Sequence, residues 1–132
     1  MAENQNLATL LKVLNAITRN DLDAAAEGVA DDVVYIVRGQ SSVSGTYTGR
    51  EALASVLGRI LNLTNGTMTA VPEVVLAEGD NVMMYMRVMG SRPDGRLYDS
   101  HQAYLYRFRN GRLIEGQTIP VDQHAFAEFL AD

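Results

Sequence analysis

The chain has 132 residues, 47% of them hydrophobic, with a formal net charge of −5 and no cysteine. Those values suit one domain with a real core, and they exclude disulfides, thiolate chemistry and Cys-ligated zinc. Lys12 is the only lysine and the ten arginines are scattered, which speaks against nucleic acid as a partner, because its binders cluster cations to replace phosphate counterions.

The opening MAENQNLATLL has an acid and amides where a secretory leader needs positive charge. No apolar run approaches the roughly 18 residues of a membrane span. A cytoplasmic setting is expected, without membrane association, and the lack of cysteine fits a reducing compartment. Leu7, Leu10, Leu11, Leu14 and Ile17 fall at helical spacing and predict a first helix. After a break at RND, Asp21 caps a second short helix, LDAAAEGVA. DDVVYIVRG reads as a strand closed by Gly39, and residues 40–49, QSSVSGTYTG, as a polar loop. Thr48-Gly-Arg-Glu51 has the form of a capping box, which starts a third helix with Leu53, Val56, Leu57, Ile60 and Leu61 on one face. That helix stops near Asn65-Gly66.

From Thr67 four strands follow: TMTAVPEVVLAE, VMMYMRVMGS, RLYDSHQAYLYRFR and RLIEGQTIP. The separators EGDN, RPDG and RNG all carry turn chemistry, and Asn110-Gly111 is a strong hairpin signal. Pro72 suits an edge strand or a bulge. Asp122 caps a last helix, DQHAFAEFLA. The order predicts one α+β domain over residues 1–132, with helices on one face of a curved antiparallel sheet.

Four stretches carry a resemblance: NDLDAAAEGVADDVVY, GTYTGREAL, LAEGDNV and YLYRFRNGRLIEGQ. In order and spacing the chain resembles the NTF2-like superfamily, and within it the SnoaL-like and ketosteroid-isomerase-like proteins. The resemblance covers roughly the whole chain. It implies a cystatin-like, NTF2-like cone whose curved sheet carries helices on its concave face and encloses an apolar pocket. Members include steroid isomerases, polyketide cyclases, epoxide hydrolases, dehydratases and proteins with no known activity. Fold resemblance alone does not fix function.

The catalytic positions of these relatives transfer poorly. The isomerases' helix tyrosine, strand aspartate and protonated acid match Val13, Val37 and Tyr104. A valine neither takes a proton nor donates to an oxyanion. The cyclases' acid–base aspartate and histidine match Gly116 and Gln102. A register one residue off would bring in Glu115 or Gln117 together with His101. An epoxide-hydrolase relay needs inward acids, and none is expected.

Alternation along YDSHQAYLYRF separates Tyr98, Ser100, Gln102, Tyr104 and Tyr106 from Asp99, His101, Ala103, Leu105 and Arg107. The resemblance puts Tyr104, and so the first group, on the pocket side. Tyr35, Val37, Leu57, Met84, Met86, Tyr106 and Gly116 are then the expected substrate-binding positions, with Val88 also facing inward. Tyr104 and Gln102 are the catalytic candidates, the off-register alternative being His101 with Asp99. His101 has two readings: a general base oriented by Asp99 after a bulge, or a half-exposed residue at a dimer face. Arg38 would either clamp an anion at the pocket mouth or lie in solvent, and His124 would either reach the mouth or lie on the surface. Turn chemistry explains Asp31-Asp32. Two histidines without matching acids make a poor metal site. No cofactor is expected. The expected partners are a hydrophobic small molecule and a second copy. Met83, Tyr85, Met89, Ala103, Leu105 and Ile119 make the convex face apolar, and a strand apolar on both faces is normally covered on both. At that dimer face Arg87 or Arg107 would pair with Glu115.

The functional expectation is a small-molecule-binding protein with an apolar, tyrosine-lined pocket. It would act, if at all, as a cofactor-independent isomerase, cyclase or dehydratase on a steroid-, polyketide- or terpenoid-like substrate. The alternative is a non-catalytic ligand-binding or dimerisation module.

Overall fold

The computed structural model describes residues 4–132. Its elements are α1 (Gln5–Thr18), α2 (Leu22–Ala26), β1 (Val29–Val37), β2 (Gly45–Thr48), α3 (Arg50–Leu63), β3 (Thr69–Glu78), β4 (Asn81–Ser91), β5 (Leu97–Arg109), β6 (Arg112–Pro120) and α4 (Gln123–Phe129). Six strands form one sheet in the order β2-β1-β6-β5-β4-β3. Each neighbouring pair is antiparallel except β1 with β6, which is parallel. The sheet is therefore mixed, because the chain returns to β1 only after the long excursion through β2–β5.

Local chemistry accounts for most element ends. The Asn4 side chain accepts from the Leu7 N–H, Asp21 from Ala24 and Asp122 from Ala125, so α1, α2 and α4 each start on a side-chain cap. Asn110 and Gly111 both take positive φ (51° and 77°), as a two-residue hairpin with matching twist requires. Pro72 sits where the β3–β4 register slips between Pro72 and Val74, on the edge strand where a missing N–H does least harm.

Two expectations fail at one place. Residues 45–48 are not loop but β2, paired with β1 from Val34↔Thr48 to Val37↔Gly45. The strand takes Thr48, so the capping box does not form: α3 begins from Gly49 at φ 93° without a side-chain cap. The Gly49 N–H bonds the Val33 carbonyl at 2.7 Å instead. Asp31 and Asp32, read as turn residues, lie inside β1 where its register with β6 shifts between Val29 and Val34.

The core lies between the sheet's concave face and the helices. Along β4, Val82, Met84, Met86 and Val88 are buried while Met83, Tyr85 and Arg87 point out. Leu10, Val13 and Ala16 of α1 and Leu53 and Val56 of α3 complete the layer.

Candidate functional site

A cavity of about 940 Å³ opens between the helices and the concave sheet face. That is the upper range for a small-molecule site. Leu10, Val13 and Leu14 of α1 and Val56, Leu57 and Ile60 of α3 supply one wall. Met84, Met86, Val88, Gln102, Tyr104, Tyr106 and Thr118 of β4–β6, with Tyr35 and Val37 of β1, supply the other. Cross-strand register explains the rows: Gln102 stands between Met86 and Pro120, Tyr104 between Met84 and Thr118, and Tyr106 between Val82 and Gly116.

The polar atoms on this wall form two groups. In the first, Tyr104 donates its hydroxyl to Gln102 Oε1 at 2.5 Å, and Gln102 Nε2 donates to the Tyr98 hydroxyl at 3.0 Å. The Tyr98 ring is fixed by Phe126 and Phe129 at centroid distances of 5.7 and 5.2 Å. In the second, the Tyr35 hydroxyl lies 2.6 Å from Thr118 Oγ1 and close to the hydroxyl of Tyr106. Tyr104 and Tyr106 stack with rings nearly parallel at 6.1 Å.

Burial is the main cause that raises the pKa of all four phenols, Tyr35, Tyr98, Tyr104 and Tyr106. Bonds to Thr118 and Tyr106 partly offset it at Tyr35, and bonds to Gln102 and Ser100 at Tyr98. At Tyr104 and Tyr106 the neighbouring phenols add to the rise. These are neutral donors and acceptors at ordinary pH, not bases.

Charged groups stay at the edge. Asp23 and Glu51 border the cavity but are exposed. Arg50 also borders it, but its guanidinium is spent on the Val29 carbonyl (2.9 and 2.6 Å) and Asp31 (2.7 Å). Arg38, considered as an anion clamp, is exposed and bonds Gln117 at 3.1 Å. His124 is exposed beside Glu128. Among the described residues no cluster of three or more His, Asp or Glu could hold a metal ion, and no helix is long and apolar enough to cross a membrane.

The off-register alternative meets the geometry directly. Asp99 does not orient His101; both of its oxygens are taken by Arg87, at 2.9 and 2.6 Å. His101 stacks on Tyr85 at 5.0 Å and meets Glu73 at 2.9 Å, on the convex face. Of the two arginines expected to pair with Glu115, Arg107 does so within the chain, while Arg87 pairs with Asp99.

Gly116 also differs from expectation. It is not on the cavity wall, because the Tyr35 ring lies over it. A Cβ at residue 116 would come within 2.6 Å of that ring and 3.4 Å of Tyr106. Thr118 is a polar wall residue beyond those expected from the sequence. Alternation with Gly116 along β6 would have found it.

The sequence profile of the SnoaL-like domain matches residues 10–116. An uncharacterised protein of Mycobacterium tuberculosis is 28% identical, over 99% of this chain and all of that one. Bal32a, from a soil-derived mobile gene cassette, superposes with a TM-score of 0.90 at 30% identity, covering 96% of this chain and 97% of that one. A putative SnoaL-like polyketide cyclase from Jannaschia sp. CCS1 superposes at 0.82, with 19% identity and coverage of 100% and 99%. At that identity the likeness speaks for the fold.

Proposed function

The chain belongs to the SnoaL-like domain family, and on that premise we propose that its cavity binds a neutral, mostly apolar small molecule. The observation that carries this reading is the wall itself: about 940 Å³ bounded by aliphatic, methionine and tyrosine side chains, with its hydroxyl and amide groups gathered on β1, β5 and β6. Substrates of steroid-, polyketide- or terpenoid-like size and polarity suit it. The likeness to a putative polyketide cyclase points the same way.

Any chemistry here proceeds by hydrogen bonding from neutral phenol or threonine hydroxyls to a polarised oxygen. The carboxylates that border the cavity, Asp23 and Glu51, are solvent-exposed, so proton abstraction by a buried base is not part of the proposal. The competing reading is a ligand-binding module without turnover. Thermal-shift screening with steroids, aromatic polyketide-like compounds and terpenoids tests the site. Stabilisation by one class, lost in Tyr104→Phe and Gln102→Leu, supports it. No shift with any class refutes it. Incubating a binding compound and looking for isomer or dehydrated product then separates enzyme from carrier.

The proposal extends to assembly: a second copy covers the convex face. Val71, Leu76 and Met83 are 49%, 62% and 45% exposed there. Arg87 is already paired with Asp99 and Arg107 with Glu115 within the chain, and Glu73 is hydrogen-bonded to His101. Such a face buries with little unpaired charge.

A further inference from the structure

Every hydroxyl carries one hydrogen, and at Tyr104 its direction is set by the partner. Gln102 Oε1 can only accept, so the Tyr104 hydrogen must lie on the line to it. In the structure the amide presents Oε1 to Tyr104 and Nε2 to Tyr98. Tyr98 holds the amide in that sense by accepting from Nε2, and its ring is fixed between two phenylalanines. Among the described residues no N–H or O–H donates to the Tyr104 oxygen, whose one hydrogen bond is the one it gives to Gln102.

We infer that Tyr104 offers the cavity a hydrogen-bond acceptor, and that the ligand carries a neutral donor, such as a phenol, enol or alcohol hydroxyl, placed against it. This rests on the reading that the cavity takes a small molecule, and it sets Tyr104 apart from the hydroxyls that can donate to a ligand oxygen. A ligand carbonyl is instead served from the Tyr35–Thr118–Tyr106 group. There the Tyr35–Thr118 contact takes only one hydroxyl hydrogen. Tyr98 and Gln102 are positioning residues: they set the direction of the Tyr104 hydrogen without touching the ligand's donor.

The test is titration calorimetry at neutral pH with three probes of one shape: 1-naphthol, 1-methoxynaphthalene and 1-acetylnaphthalene. The natural chain binds the naphthol about five- to tenfold more tightly than the ether, the ratio of one net neutral hydrogen bond. Tyr104→Phe brings that ratio to about one. In Tyr98→Phe the amide loses its anchor and turns to donate to Tyr104. The Tyr104 hydrogen is then free for the cavity, and the ketone gains on the naphthol. Equal binding of naphthol and ether by the natural chain overturns the inference and leaves the cavity reading standing. So does a naphthol preference that survives in Tyr104→Phe. If none of the three binds and the wider screen is also silent, both fall. The natural chain alone decides the first comparison, so the inference stays testable should either variant fold poorly.

Discussion

Gly116 sets where Tyr35 can lie. Tyr35, Gly116 and Tyr106 stand side by side on β1, β6 and β5, and the glycine leaves the space into which both rings lean. Gly116→Ala forces the Tyr35 ring, whose edge would stand 2.6 Å from the new carbon, off Thr118. Overpacking of this kind costs about 1–3 kcal/mol, to be read as a lowered denaturant midpoint. The buried phenols make a second prediction. Their pKa values are raised on folding, so the unfolded chain loses these protons first as pH rises. Stability is then unaffected up to about pH 10, the ordinary phenol value, and falls above it. The slope is about 1.4 kcal/mol per pH unit for each phenol held neutral. Urea midpoints between neutral and strongly alkaline pH check this, and Tyr35→Phe should flatten the fall. At this scale alternation was enough to place Gln102, Tyr104 and Tyr106 on one wall and His101 on the other. It could not show that Tyr35 covers Gly116, or that Asp99 is claimed by Arg87 (rather than His101), because those depend on partners distant in sequence.

The start of α3 shows how neighbouring elements compete for a residue. TYTGRE satisfies the pattern of a side-chain cap, yet Thr48 is drawn into β2 and its backbone pairs with Val34. A four-residue strand rich in glycine and threonine has little hydrophobic alternation by which to announce itself. Its partner β1 decides the matter. Thr48→Ala therefore changes stability by less than about 0.5 kcal/mol, as for a surface position, where loss of a working cap would cost about 1. Gly49→Ala places a Cβ in left-handed backbone at φ 93° and costs about 1–2 kcal/mol. Thermal melts of the two variants separate the readings. The other helices and the four long strands were legible because each carries its own signal: Asp21 and Asp122 as caps, Asn110-Gly111 as a hairpin, and period-two burial along β4.

At the scale of the whole molecule the sheet has two faces with different work. The concave one carries the cavity. The edge strand β3 is exposed along all ten of its residues, and to the convex side it turns Val71, Val74 and Leu76, which pair with the outward-pointing Arg87, Tyr85 and Met83. Sedimentation at micromolar concentration should show a dimer. Leu76→Asp with Met83→Asp should shift it to monomer, since each puts an unpaired charge into the shared surface. A monomeric natural chain rules the interface out. The α+β class was readable from element order alone. The parallel pairing of β1 with β6 was not, because nothing local in either strand names a partner some eighty residues away.

That pairing has a consequence during synthesis. β1 leaves the ribosome early and must wait for residues 112–120 before its second edge is covered. Until then β1 and the first hairpin arm of β5 both present unpaired backbone, the kind of edge that recruits other chains. The sheet is completed only once β6 has emerged and joined β1 to β5. A prematurely terminated chain lacking β6 should therefore be found in aggregates or with chaperones, while single substitutions on the cavity wall leave expression intact.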